Sequence, residues 1–497
     1  MRSAVASLAL LLFCSSLPAA DGQPLNPAEQ SLLGTIRADT LKSHVSFLSS
    51  DLLDGRDTPS KGLDIAGEYI ASQFRRFGLV PAPGNDGYFQ VAPYLVIKQP
   101  MQGFNVKVDA PEGKSWGSIG PKAMVVSNAA AQGMNLDVIK VSIKDENTEL
   151  PAKEAIHGKA VLLLMSFRNA GVLTKRDALL AMEPAVVLTT GFVLNPYTRL
   201  REAAAPKGPA VPSIITSDSE FGTFAAELPE GPTAAKLSFN VPAPVEEPVN
   251  LRNVIGVLPG SDPALKNTCV LLSAHYDHVG LSPRSDGDRI NNGANDDASG
   301  VATVLSLAEA FSSLKEKPRR TIVFMTYFGE EKGLLGSRYY ASHPVYPLKG
   351  TIANLNFEHM GRTDDNEGSR VGKVTASGFD YTTIGDTLTE AGKQTGIEAW
   401  KHDKNSDAFF PRSDNQALAD AGVPALTVAV SWIFPDYHRP GDHWDKIDYA
   451  NMERVVRTMS IAVSRIANAA KPVTWIDTNP RVEKYLKAYQ LLHANPN

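Results

Sequence analysis

The chain has 497 residues, 43% hydrophobic and 21% charged, with 49 basic and 54 acidic side chains for a net charge of −5. That length exceeds one ordinary core, so two domains are expected. The balance excludes a disordered chain, and the absence of a basic run excludes nucleic acid as the main partner.

Residues 1–20 read as a secretory leader: Arg2, an apolar run from Leu8 to Phe13, then small residues at Leu17-Pro18-Ala19-Ala20. The plainer alternative is a buried N-terminal helix. Bulky Phe13 argues against a lipid anchor on Cys14. No later stretch reaches the ~20 apolar residues of a membrane helix, so no span is expected, and the protein is placed in the periplasm or outside the cell. Loss of the leader leaves Cys269 as the one cysteine, hence no internal disulfide.

Residues 25–80 carry helical periodicity. Asp54-Gly55-Arg56-Asp57-Thr58-Pro59 breaks it, and Ile65, Tyr69, Ile70, Phe74 and Phe77 form one stripe beyond the break. Tyr88 to Lys98 reads as a strand. From 103 to 248 helical periodicity is sparse, and short β-like runs stand at 123–126, 160–164, 185–188 and 211–215. That segment has one histidine, His157, and no catalytic constellation. It reads as a small β-rich domain, 103–248, inserted into a main domain of 25–102 and 249–497.

From Asn250 the pattern alternates. Strands are expected at 254–258, 268–273, 320–327, 350–357 and 425–430, and helices at 299–313, 334–342, 383–394 and 449–469. Such alternation predicts an α/β fold, a mainly parallel mixed sheet flanked by helices.

The ends of these strands carry the chemistry. The first leads into His275-Tyr276-Asp277 and then Asn295-Asp296-Asp297-Ala298-Ser299-Gly300. Others lead into Glu330-Glu331, Glu358-His359-Met360-Gly361-Arg362 and Asp436-Tyr437-His438-Arg439-Pro440-Gly441-Asp442; a loop carries Arg412-Ser413-Asp414-Asn415. Sites in open α/β sheets lie at the carboxyl ends of strands. His275, Asp296, Glu331, Glu358 and His438 supply nitrogen and oxygen donors of the kind zinc takes. One bridging carboxylate, with one His and one carboxylate per ion, holds two metals. Asp277 is placed to accept the free ring N–H of His275. Each motif also has a bland reading: a structural histidine, a solvated Glu pair, an Asp helix cap. Their succession in chain order, each after an expected strand, favours the metal.

On these motifs the chain resembles the co-catalytic di-zinc aminopeptidase and glutamate-carboxypeptidase family of metallopeptidases, over residues 250–470. The inserted segment is similar to the protease-associated domain of some members. The resemblance implies that His275 and Glu358 share one zinc, Glu331 and His438 the other, and Asp296 bridges them with a cis peptide to Asp297. It also implies that Glu330 is the general base, that Tyr437 hydrogen-bonds the oxyanion and that Arg412 binds substrate. Glu358 departs from the family, where Asp is usual, and Asn415 stands where many members have His. The implied activity is removal of N-terminal residues from peptides with two zinc ions per chain. A carboxypeptidase or dipeptidase on the same scaffold stays open. A single-zinc glutaminyl cyclase relative and a non-catalytic binding protein fit the filled ligand positions less well.

Overall fold

The computed structural model describes residues 24–494, apart from 86, 121, 167–169, 192, 194–197, 208–210 and 283–285. The expected leader, with Cys14, lies outside the described residues. The chain divides into two compact units, one of residues up to 91 and from 252 onward, the other of residues 92–251. The first boundary therefore falls eleven residues before the expected 102, because Tyr94–Lys98 pairs with Thr198–Glu202 inside the second unit.

The first unit begins with three helices. α1 (Pro27–Thr35) starts at Asn26, whose side chain accepts the Glu29 N–H while Glu29 accepts the Asn26 N–H, a reciprocal cap. α2 (Ala38–Leu48) follows. The chain then turns where Asp54 and Gly55 take φ of 47° and 69°. α3 (Lys61–Arg76) buries Leu63, Ala66, Ile70 and Phe74. Ile65, expected on that stripe, is 38% exposed, so the true apolar face is rotated and uses small residues that periodicity of large ones overlooks.

Further elements of this unit include β1 (Val245–Leu258, of which the end belongs here), β2 (Cys269–His275), α4 (Ser299–Ser313), β3 (Thr321–Tyr327), α5 (Leu335–Ser342), β4 (Thr351–Phe357), β5 (Lys373–Ala376), α6 (Ile384–Thr395), β6 (Glu398–Trp400), β7 (Ala425–Ala429), α7 (Tyr449–Asn468) and α8 (Glu483–Ala494). The sheet runs β6-β5-β7-β4-β2-β3-β1. Its centre is parallel: β2 with β3, β2 with β4, and β4 with β7. β1 on β3 and β5 on β7 are antiparallel. Every residue of β2, β3, β4 and β7 is buried, as in a sheet covered on both faces. His275 pairs with Tyr327, and Phe357 with Val428. The register thus brings the carboxyl ends of four strands to one edge.

The second unit holds an eight-stranded mixed sheet. Its strands at Ala123–Val126, Ala160–Met165, Val186–Thr190 and Ser213–Thr216 lie within two residues of the expected runs. Two helices, Ala170–Leu180 and Ser219–Glu227, join them. Alternate residues face two cores: Leu162, Leu188 and Ile214 in one, Val161, Leu163 and Val187 in the other. A cavity of about 490 Å³ lies within this unit, walled by Ile97, Leu163, Val187 and other apolar groups, with Arg176, Arg199 and Arg201 among its lining. Among the described residues of the chain, no helix is long and apolar enough to cross a membrane.

Candidate metal centre

His275 is the last residue of β2, Glu358 follows β4 directly, and Glu330-Glu331 follow β3 after Phe328 and Gly329. Asp296 comes from the turn before α4. Its peptide to Asp297 is cis, as the resemblance implies. Three groups hold this turn. The buried Asp442 carboxylate accepts the main-chain N–H of Asn295 at 2.9 Å and of Asp296 at 3.1 Å. Asn295 Oδ1 accepts the N–H groups of Gly361 and Arg362 at 2.8 and 2.9 Å. Asp297 Oδ1 accepts the Gly300 N–H at 3.0 Å, in the first turn of the helix that follows. Gly300 leaves the necessary room: a Cβ there would lie 2.2 Å from the Phe357 carbonyl.

A buried cation ties the amino-terminal segment to the same place. Arg56 is 1% exposed. It donates to the carbonyls of Tyr276, Asn292 and Gly293 at 2.9, 2.8 and 3.0 Å, and to that of Leu48.

The donors converge on Asp296. His275 Nε2 lies 3.2 Å from Asp296 Oδ1 and 3.4 Å from Glu358 Oε1. His438 Nε2 lies 3.1 Å from Asp296 Oδ2 and 3.2 Å from Glu331 Oε1. The two oxygens of Asp296 thus face different partners. Donor atoms of His275, Glu330 and Glu358 lie within 4.8 Å of one another. The structure therefore brings together all five expected ligand residues and Glu330. Tyr437 stacks on His438 with ring centroids 4.0 Å apart, and the Arg412 guanidinium lies 4.5 Å from the Phe409 ring. Tyr437, Phe409 and Arg412 line the pocket that contains Asp296, Glu330, Glu331 and Glu358.

Asp277 departs from its expected part. His275 Nδ1 meets the main-chain oxygen of Asp277 at 3.2 Å, and the carboxylate is 3.7 Å away. That carboxylate instead accepts the Glu330 N–H at 3.0 Å and the Thr58 hydroxyl at 3.1 Å. It orients the Glu330 turn more closely than the ring. Asn415 stays away from the donors, accepting the Thr427 hydroxyl at 2.8 Å.

Two histidines were not singled out from the sequence. His278 Nδ1 lies 2.9 Å from Glu331 Oε1 and 3.8 Å from Asp296 Oδ2; His359 Nε2 lies 3.6 Å from Asp296 Oδ1. Each directly follows a motif carboxylate, Asp277 or Glu358, and so has no spacing of its own to mark it.

The electrostatics suit a cation. Burial resists protonation of His438, yet Asp296 and Glu331 lift it to about 10. Burial likewise opposes His275, which Asp277, Asp296 and Glu358 carry well above the ordinary range. Burial and Asp296 push Glu331 up, but His278 and His438 draw it down to about 2. Glu330 is pushed well up by burial, against the pull of His275 and with repulsion from Glu358 and Glu331. Buried carboxylates of this density need positive charge. The ion pairs of Asp296, Glu331 and Glu358 among the described residues are all with histidines. Asp296 Oδ2 and His275 Nε2 are buried and make no hydrogen bond. Unpaired nitrogen and oxygen atoms aimed at common points are what a divalent ion such as zinc requires, so the residues fit the group the motifs imply.

The comparisons with known proteins agree on the fold. An aminopeptidase from Aneurinibacillus sp. strain AM-1 superposes with a TM-score of 0.62 at 20% identity, covering 91% of this chain and 100% of that one. A zinc aminopeptidase from Bacillus subtilis gives 0.55 at 19% identity, over 88% and 96%. Among sequence relatives, a probable zinc metalloprotease of Pyrenophora tritici-repentis is 36% identical over 198 residues, 39% of this chain and 43% of that protein. A vacuolar membrane protease of Phaeosphaeria nodorum is 34% identical over 134 residues, 26% of this chain and 13% of that protein. The chain thus spans less than half the length of these curated relatives. A family model, Peptidase family M28, matches residues 253–463. Those residues supply every member of the donor cluster, and they belong to peptidase family M28.

Proposed function

We propose that this chain is an exported zinc aminopeptidase, with two zinc ions per chain. The observation that carries the reading is the division of Asp296, one oxygen toward His275 and the other toward His438 and Glu331. When bound, the two ions supply an acidified water and polarise the scissile carbonyl. His275, Asp296, Glu331, Glu358 and His438 would hold them. Glu330, beside His275 and Glu358 and raised by burial, takes the proton from the attacking water and passes it to the leaving amine. Asp277 fixes the main chain of Glu330 through the N–H bond. Tyr437 offers its hydroxyl to the developing oxyanion. Export rests on the leader pattern, and the second unit reads as a protease-associated type of insertion from its place in the chain and its mixed sheet.

Arg412 in the pocket wall favours a second reading, a carboxypeptidase or dipeptidase that binds a substrate carboxylate. Zinc content and turnover of an aminoacyl anilide, with and without an N-acetyl block, separate the two. Two zincs and turnover abolished by acetylation are expected. Two zincs with turnover only of free-carboxylate substrates would replace the first reading by the second, and a zinc-free, inactive chain would sink both.

A further inference from the structure

We infer that His278 is a fourth protein donor to the ion of Asp296, Glu331 and His438, so that the two metal positions are chemically unequal. This assignment rests on the metallopeptidase reading above and adds a ligand that the motifs do not contain.

The ring is fully buried, and its Nδ1 faces two carboxylates. The donor atoms of His278, Asp296, Glu331 and His438 lie within 4.8 Å of one another. Four of their separations are 2.9, 3.1, 3.2 and 3.8 Å. Donors set tetrahedrally about zinc at about 2.1 Å lie about 3.4 Å apart, which is the middle of that spread. Asp296 Oδ2, the oxygen on this side, is buried without a hydrogen bond.

The ring is held there by packing. His278 N donates to the Arg56 carbonyl at 3.2 Å. Gly293, at φ 61°, lies so close that a Cβ would come 2.6 Å from the imidazole. On the metal side its Nδ1 lies at hydrogen-bond distance from Glu331 Oε1, 2.9 Å, and among the described residues Nε2 meets no partner.

Among the described residues no such set of four forms on the other side. The compact groups there have three members each, His275 with Glu330 and Glu358, and Asp296 with Glu358 and His359. With one more protein donor, the position of His278 and His438 is the more retentive. The position of His275 and Glu358 exchanges its ion more readily.

X-ray absorption at the zinc edge tests this on the full chain loaded with one equivalent of zinc. The expected count is two imidazoles per zinc, falling to one in His278→Gln and one in His438→Gln. A count of one in the wild type overturns the assignment whether or not the variants fold. So does an unchanged count in His278→Gln whose zinc-free circular dichroism and melt match the wild type. If His438→Gln changes the count and His278→Gln does not, only this inference fails. If the wild type binds no zinc, the metallopeptidase reading fails first.

Discussion

Two buried places in this chain differ in what lines them. At the carboxyl edge of the first unit's sheet, imidazoles and carboxylates face one another, and main-chain N–H groups of Asn295, Asp296 and Glu330 are fastened by Asp442 and Asp277. In the second unit a larger cavity is walled mostly by aliphatic groups. Clustered buried charge costs free energy unless something compensates it, whereas the aliphatic cores around the second place favour folding by burial. The first place is therefore a device for chemistry, and the second contributes through packing. Variants at the first should change metal and turnover with little effect on the melt. Variants in the second unit's core should do the reverse.

The largest effect is expected at Glu330. Glu330→Gln keeps the donor set and removes the proton acceptor, so turnover falls by roughly 10²- to 10⁴-fold with zinc content unchanged. Turnover near that of the wild type would remove Glu330 from the chemistry.

Next is Leu162→Ala in the second unit. Leu162 is fully buried, and its truncation costs about 2–5 kcal/mol in a denaturant melt. Zinc content of the folded fraction should not move, and loss of zinc would break the division between the two places.

Acid should weaken the first unit through a group remote from the donors. His44 is buried, with Nδ1 2.9 Å from the Tyr69 hydroxyl. Burial, with some repulsion from Arg76, lowers it from 6.5 to about 4. The folded chain holds the ring neutral where the unfolded chain protonates it. Its contribution is intact above pH 6.5 and is lost as pH falls toward 4, on the order of 3 kcal/mol. Stability measured from pH 7 to 4 should show this slope, and His44→Gln should flatten it.

The smallest effect concerns Asp442→Asn, which leaves an acceptor but removes charge from the Asn295–Asp296 clamp. Zinc affinity should fall roughly ten- to a hundredfold in a chelator competition. An unchanged affinity would show that the turn before α4 holds itself.

The parallel strands and the residues beyond their ends were legible because each apolar run is followed within a short loop by a His or carboxylate. Four things were not. β5, β6 and α8 are too short or too weakly patterned to stand out. His278 and His359 sit beside motif acids, and only the fold turns them toward Asp296. The acceptor for His275 Nδ1 is a carbonyl of Asp277, and side-chain types carry no information about main-chain oxygens. The cavity of the second unit arises from the placement of ordinary aliphatic residues, which composition cannot locate.

Cys269, the sole cysteine among the described residues, opens strand β2, whose other end is His275. Its thiol is 1% exposed, lies 3.4 Å from the Thr351 hydroxyl, and is pushed by burial to about 11. Alkylating reagents need an accessible thiolate, so they reach this sulfur only when the middle of the sheet opens. The rate of labelling is a native clock for that opening, readable without substrate, metal or an engineered cysteine.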